Sequence, residues 1–185
     1  MDNHTNLHTS WQPSSIEFQE SNLAVSMKKL NFDTFEKFHE WSISEREQFW
    51  KYTTEALGIK FYKKCSKVLE NRDPEQPCWF LDATLNIVNS CFQANGEKVA
   101  IVESNETGQV HTLTYAMLET KVRQIAASLL MAGFQKGDVI GLALPMHSEA
   151  VALYLGIVYA GCIVCPIAES FAPNEISSRL QISQA

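Results

Sequence analysis

The sequence predicts an α/β protein: an incomplete, doubly wound and mainly parallel sheet flanked by helices and preceded by an N-terminal helical region. Two observations support this fold class. Helical and strand patterns alternate through residues 114–185 with short turns between them, which is typical of parallel strands joined by helical crossovers. Before them, aromatic residues recur at helical spacing from Phe35 to Trp50, and this predicts the helical region.

The bulk composition narrows the class of protein. At 45% hydrophobic and 19% charged residues, the chain has the composition of a globular protein. Its net charge of −6 disfavours non-specific binding to DNA or RNA. Five irregularly spaced cysteines and a polar, acidic start without an apolar signal segment favour a reducing, intracellular compartment.

The N-terminal third predicts a leader followed by helices. Residues 1–30 are polar and weakly patterned, and we expect a loosely docked leader there. Ser44 and Glu47 have the spacing of a capping box, which predicts a helix from Glu45 to Leu57 that ends at Gly58.

The middle of the chain predicts a connector, one more helix and a hairpin. Residues 70–79 contain two prolines and form the expected connector. Residues 81–93 have helical periodicity, with Leu85, Val88 and Phe92 facing inward. Residues 98–103 and 111–114 are then predicted as paired strands around a turn.

The C-terminal elements follow one another closely. Thr114 is expected to cap a helix over 115–131, which Gly133 ends in the left-handed conformation. The remaining predicted elements are a strand over 138–144, a helix over 147–159, a strand over 162–165 and a helix over 174–182.

One apolar run allows two interpretations. Residues 150–168 contain no charged side chain, and a membrane-spanning helix needs about 20 such residues. Gly156, Gly161 and Pro166 interrupt the run, and Glu149 precedes it. We therefore favour a buried helix that leads into a buried parallel strand.

Cys162 and Cys165 form a CxxC pattern, which is used both by thiol redox sites and by structural pairs. The pair lies in an apolar run of strand character, and residues three apart on a strand point to opposite faces. A zinc site would need a second ligand pair at suitable spacing. We expect buried structural cysteines, with a thiol redox protein as the minor alternative.

The histidines are weak site candidates. His4 and His8 could face one metal ion if the segment were helical, but no Cys or carboxylate cluster lies nearby in the sequence. His39, His111 and His147 are isolated, and a histidine acts as a general base only with an orienting partner.

Two further patterns suggest binding but have simpler explanations. Residues 60–64, together with Lys67, mix lysines with aromatics, a combination that binds single-stranded nucleic acid; acidic flanks and the net charge favour an exposed face beside packing aromatics. Gly133, Gly137 and Gly141 match neither a dinucleotide nor a phosphate loop. We therefore assign no catalytic, cofactor-binding or metal-binding residue.

Several motifs in order resemble the N-terminal part of the AMP-forming acyl-CoA synthetases, particularly the acetyl-CoA synthetase-like branch and its plant-type acyl-activating enzymes. The motifs are residues 35–50 with 77–86, Thr114-Tyr115 with Leu118, residues 133–138, Leu144-Pro145, Glu149, Gly161, Pro166 and residues 175–185. Met146 and Cys162 depart from the usual Asn and Ala of the family, and these are changes of packing.

The resemblance implies a division into a leader (1–30), an acetyl-CoA synthetase-like N-terminal helical region (31–96) and the truncated first part of the AMP-binding domain (97–185). It implies a ligase that uses ATP, magnesium and coenzyme A to convert a carboxylic acid into an acyl-adenylate and then an acyl-CoA. The catalytic groups of the family lie beyond the point that corresponds to Ala185.

This chain is accordingly expected to be an inactive, self-associating fragment whose partners are the remainder of the enzyme and its acid substrate, in the cytoplasm or peroxisome. The alternative is a non-catalytic α/β interaction module.

Overall fold

A computed structural model describes residues 11–70 and 75–185, which divide along the chain into two compact units after Thr54. The helices of the described residues are α1 (Ser15–Glu20), α2 (Asn22–Lys29), α3 (Phe35–Ser44), α4 (Arg46–Ala56), α5 (Val88–Cys91), α6 (Tyr115–Met131), α7 (Ser148–Tyr159) and α8 (Pro173–Ser183). The strands are β1 (Lys67–Glu70), β2 (Cys78–Leu81), β3 (Val99–Ser104), β4 (Val110–Thr114), β5 (Val139–Leu142) and β6 (Ile163–Pro166).

The first unit is helical and is held together by aromatic rings. Phe38 is only 8% exposed, and its ring centroid lies 5.6 Å from that of Phe32, 5.7 Å from that of Trp41 and 6.3 Å from that of Phe49. Edge-to-face and tilted ring pairs at these distances are favourable. The aromatic periodicity of the sequence therefore corresponds to a real cluster.

Three predictions for the first unit have different outcomes. Residues 1–30, which we expected to form a loosely docked leader, contain the helices α1 and α2, and Met27 in α2 is buried. The Ser44 capping box is wrong, because Ser44 is the last residue of α3 and its hydroxyl donates to the carbonyl of Trp41. The helix that follows is confirmed, since α4 occupies nearly the expected range and Gly58 has φ +62° just after it.

The second unit has an aliphatic core between α6, α7 and the β3–β4 hairpin. Its buried cluster consists of Val88, Leu113, Leu118, Val122 and Ala152. Thr114 caps α6 through a hydrogen bond from the Met117 N–H to its hydroxyl oxygen, as the sequence predicts.

Each strand of the described residues pairs with one neighbour. β1 pairs with β2 and β3 with β4 in antiparallel ladders, whereas β5 and β6 are parallel, with Val139 opposite Ile163 and Leu142 opposite Pro166. A parallel pair joined by a helix is the basic unit of the predicted α/β fold, which the structure confirms.

The helix over 81–93 is wrong, and the connector over 70–79 is shorter at its described ends than predicted, while residues 71–74 lie outside the described residues. Glu70 ends β1, and the second half of the predicted connector enters β2, so that Leu81 pairs with Lys67. Asp82 then takes a left-handed conformation with φ +61°, which interrupts any helix. Only α5 remains helical, because pairing between distant segments overrides the local periodicity.

The C-terminal elements lie close to their predicted ranges. The apolar run of 150–168 divides between α7, which ends at Tyr159, and β6. Among the residues that the structure describes, no helix is long and apolar enough to cross a membrane.

Candidate functional site

An apolar cavity opens at the carboxyl ends of β5 and β6. Its volume is about 560 Å³, and Leu142, Leu144 and Met146 line it on one side and Ala150 and Tyr154 of α7 on another. In open α/β sheets, ligands bind outside the carboxyl ends of the strands. This position makes the cavity the best-placed candidate site of the second unit.

The chemistry of this cavity is limited. Glu169 and Ser170 are among its few polar lining residues, and Met146 is 92% exposed. Within residues 11–70 and 75–185, no group of three or more His, Cys, Asp or Glu side chains could hold a metal ion. The lining of the cavity is mainly apolar, so it can accommodate apolar groups.

Cys162 and Cys165 do not form a disulfide in the structure. The Cys162 thiol is buried and donates to the carbonyl of Gln135 at 3.4 Å. Burial, with Asp138 nearby, raises the pKa of the Cys162 thiol, which lowers its thiolate content. Cys165 lies half-buried in β6.

The histidines are placed separately, and His4 and His8 lie outside the described residues. His39 packs on Phe35 in α3, with ring centroids 5.9 Å apart. His147 caps α7, because its Nδ1 accepts a hydrogen bond from the Ala150 N–H at 3.1 Å. His111 lies opposite Glu103 in the β3–β4 ladder.

Glu103 is a structural carboxylate that the sequence did not reveal. It accepts a hydrogen bond of 2.7 Å from the backbone N–H of Ser148, at the N-terminus of α7. This bond lowers the pKa of Glu103, and His111 and His147 add a smaller favourable interaction. A carboxylate is favourable here because the first amides of a helix lack partners within the helix.

The basic and aromatic segment over residues 60–64 borders a second, smaller cavity. This cavity is about 310 Å³ and is also lined by Asn89, Phe92, Glu119 and Arg123. The Asn89 amide donates to the Tyr62 hydroxyl at 2.6 Å, and Arg123 donates to both Glu119 and the Tyr159 hydroxyl. These polar groups bond to one another, so they are not aimed at a ligand.

The three glycines of the sequence pattern have structural roles. Gly133 follows α6 with φ +99°, and Gly137 has φ +97° in the turn before β5. Asp138 stabilises that turn, because its carboxylate accepts a hydrogen bond from the Gln135 N–H at 2.7 Å. Gly141 lies within β5. The predicted roles of Gly133 at the end of a helix and of Gly137 in a turn before a strand are thus confirmed.

Asn86 is another residue that sequence reasoning missed. Its amide donates to the carbonyls of Val158 and Tyr159 at 2.9 and 3.1 Å, and its oxygen accepts from the Val88 N–H. The side chain therefore ties the loop before α5 to the C-terminus of α7, where helix carbonyls lack partners. No local pattern signals this contact, because its partners lie more than 70 residues away.

Comparison with known proteins gives two family matches. Residues 89–185 match the AMP-binding enzyme family, and residues 35–91 match the acetyl-coenzyme A synthetase N-terminus. Among curated proteins, the chain is 33% identical to the probable peroxisomal acyl-activating enzyme 18 of Arabidopsis thaliana over 95% of this chain and 26% of that protein. It is 31% identical to an acetyl-coenzyme A synthetase of Shewanella frigidimarina over 82% of this chain and 24% of that protein.

Among solved structures, acetoacetyl-CoA synthetase from Streptomyces lividans matches with a TM-score of 0.85 and 26% identity, over 92% of this chain and 28% of that chain. The chain thus spans about a quarter of the length of the relatives that it matches. Because one family match covers more than half of its residues, the chain belongs to the AMP-binding enzyme family, and it is similar to the N-terminal part of the synthetases that it matches.

Proposed function

We propose that residues 1–185 are the N-terminal, scaffold-forming part of a longer ATP-dependent carboxylic acid–CoA ligase. One observation carries the proposal: a curated acyl-activating enzyme aligns with 95% of this chain, which accounts for only 26% of that enzyme. The implied reaction forms an acyl-adenylate from a carboxylate and ATP, and then an acyl-CoA.

The described residues of this chain do not form a binding site for the magnesium ion or for the phosphates of ATP. The part of the chain that the structure describes contains no carboxylate, histidine or cysteine cluster for magnesium, and the sequence contains no glycine-rich loop ending in Gly-Lys-Ser or Gly-Lys-Thr for phosphates. No step is therefore assigned to a residue of this segment. Its contribution is the core of α6 and α7 and the β5–β6 pair, on which further elements can be built.

The proposed division of the chain is 1–30 for a leader, 31–96 for the acetyl-CoA synthetase-like N-terminal region and 97–185 for the start of the AMP-binding domain. The two family matches, which meet near residue 90, support it. The proposed location is intracellular, in the cytoplasm or the peroxisome; one similar plant enzyme is named as peroxisomal and one similar rat enzyme as mitochondrial.

Carboxylate-dependent exchange between ATP and pyrophosphate tests the proposal. Acetate, acetoacetate and hexanoate are suitable acids, because relatives are named for their CoA esters. We expect exchange from the longer protein encoded by the same gene and none from purified 1–185. Exchange by 1–185 alone would contradict the scaffold role, and a stop codon directly after residue 185 would instead favour the interaction module.

A further inference from the structure

The first turn of α7 is held by two side chains that can titrate. His147 precedes the helix, and its Nδ1 accepts a hydrogen bond from the Ala150 N–H at 3.1 Å. Glu103 of β3 accepts a hydrogen bond of 2.7 Å from the Ser148 N–H. The first N–H groups of a helix have no partner within it, so these two bonds satisfy donors that would otherwise be unpaired.

The bond between His147 and the helix requires a neutral imidazole. A ring nitrogen that accepts a hydrogen bond carries no proton, so the proton of the capping ring lies on Nε2. Protonation adds an N–H at Nδ1, and both ring nitrogens then donate. Because the Ala150 amide is also a donor, the protonated ring cannot cap α7. Histidine changes its charge between about pH 5 and 8, so the cap is lost on mild acidification.

Glu103 offers the protonated ring another partner. Its carboxylate interacts electrostatically with His147 and with His111, the residue opposite it in the β3–β4 ladder. An ionised carboxylate has about four acceptor positions, more than the helix amide occupies. Glu149, which is exposed in the first turn of α7, adds a second negative charge. When neutral, His147 therefore caps α7, and when charged, it is drawn towards Glu103.

The segment before His147 borders the apolar cavity at the carboxyl ends of β5 and β6. Leu144 and Met146 line this cavity, and Met146 is 92% exposed, so it lies at the opening of the cavity and not in its interior. Met146 adjoins His147 in the chain, and Ala150, whose amide His147 caps, also lines the cavity. A rearrangement of the cap therefore moves residues at the opening.

We propose that His147 is a pH-sensitive cap that couples protonation to the opening of this cavity. The neutral ring holds the first turn of α7 and residues 143–147 in the observed arrangement. On mild acidification the charged ring leaves the Ala150 amide for the Glu103 carboxylate, and the residues at the opening rearrange. The inference does not depend on the proposed function, because all its groups lie within residues 103–150.

Hydrogen exchange at the Ala150 amide tests the cap in the complete protein that the gene encodes. Protection is expressed relative to the intrinsic exchange rate at each pH, so that the ordinary effect of acid on exchange is removed. We expect the protection of Ala150 to fall about fivefold or more between about pH 7.5 and about pH 5.5, the change that loss of a helix cap produces. Unchanged protection over this range would overturn the proposal.

Two variants of His147 separate the charge of the ring from other effects of acid. Asn is among the best helix caps and does not titrate, so Ala150 should stay protected at both pH values in His147→Asn. His147→Ala has no side-chain acceptor, and the protection of Ala150 should be low at both. A response of native size in His147→Asn would overturn the proposal, because the titrating group would then lie elsewhere.

Glu103→Gln tests the alternative partner of the protonated ring. The Gln side chain is neutral and still carries an oxygen that can accept the Ser148 N–H, but it attracts the charged ring less strongly. The midpoint of the Ala150 response should therefore shift to lower pH in this variant. An unchanged midpoint would overturn the exchange of partners.

The methyl group of Met146 reports on the opening of the cavity. In nuclear magnetic resonance spectra of the methionine methyl groups, we expect the Met146 signal to shift with the same midpoint as the Ala150 response, and to lose this shift in His147→Asn. A Met146 signal that does not change over the same pH range would overturn the coupling between cap and cavity. None of these readouts uses activity, so they decide the inference independently of the proposed function.

Discussion

The two compact units differ in how they exclude water. Among the described residues of the first unit, only Met27 and Phe38 belong to the buried apolar set, and contacts between aromatic rings surround Phe38. The second unit instead buries aliphatic and small residues, and Val88 and Val122 are each 1% exposed. A few large aromatic rings can fill a small core. Two helices that pack on strands instead need their backbones to approach each other closely.

Close approach in the second unit requires small residues at the helix crossing. A Cβ placed on Gly156 of α7 would lie 2.5 Å from Ile125 Cγ2 and 3.3 Å from the Val122 carbonyl oxygen of α6. Ala152, one turn earlier in α7, is 1% exposed. The comparison therefore predicts that the first unit is sensitive to loss of volume and the second to its addition.

The largest effect is expected from Phe38→Ala in the first unit. Removing a buried ring leaves a cavity among Phe32, Trp41 and Phe49, and core Phe→Ala changes typically cost about 3–5 kcal/mol. Chemical unfolding followed by tryptophan fluorescence measures the loss. Phe35→Ala in the same helix is the matched control, because Phe35 is 48% exposed. Equal losses in the two variants would refute the aromatic-core description.

A smaller effect is expected from Gly156→Ala in the second unit. The added methyl group would press on Ile125, and overpacking of this kind costs about 1–3 kcal/mol, which exceeds the gain of less than about 1 kcal/mol in helix propensity. Thermal unfolding should show a lower Tm.

A second substitution separates crowding from other causes. Ile125→Ala removes Ile125 Cγ2, the atom nearest to the new methyl group, and leaves Ile125 Cβ at 2.8 Å, so Gly156→Ala should cost less in that background than in the native sequence. If the cost stayed the same in both backgrounds, crowding at the helix crossing would not be its source.

The smallest effect concerns pH. The Ser148 N–H lowers the pKa of Glu103 in the folded protein, so its contribution to stability is complete above the ordinary Glu pKa of about 4.3. It is lost as the pH falls through the lower folded pKa. The difference in Tm between the native protein and Glu103→Gln should therefore be present above about pH 4.3 and shrink below it.

Glu106→Gln is the control for loss of charge alone, because Glu106 is exposed in the hairpin turn. A difference between the native protein and Glu103→Gln that grew as the pH fell below about 4.3 would have the wrong sign and would reject the proposed bond as the cause.

Local signals predicted some elements well. Helix α6 matches its predicted range because the Thr114 cap, the apolar stripe and Gly133 are all close in sequence. The helix prediction for residues 81–93 was wrong because Leu81 pairs with Lys67 and the Asn86 side-chain amide donates hydrogen bonds at the C-terminus of α7. Similarly, Glu103 gave no signal of its own, because its partner Ser148 lies 45 residues away.

The sequence by itself determined the α/β class, the order of the C-terminal elements and the resemblance to acyl-CoA synthetases, because caps, glycine turns and periodicity are local properties. Only the tertiary structure decided that Asn86 bonds the C-terminus of α7, that Glu103 meets the N-terminus of α7, and that Gly156 packs against Ile125 of α6. These features depend on which strand pairs with which and which helix covers which face. Interactions between distant residues set both, and a linear pattern does not encode them.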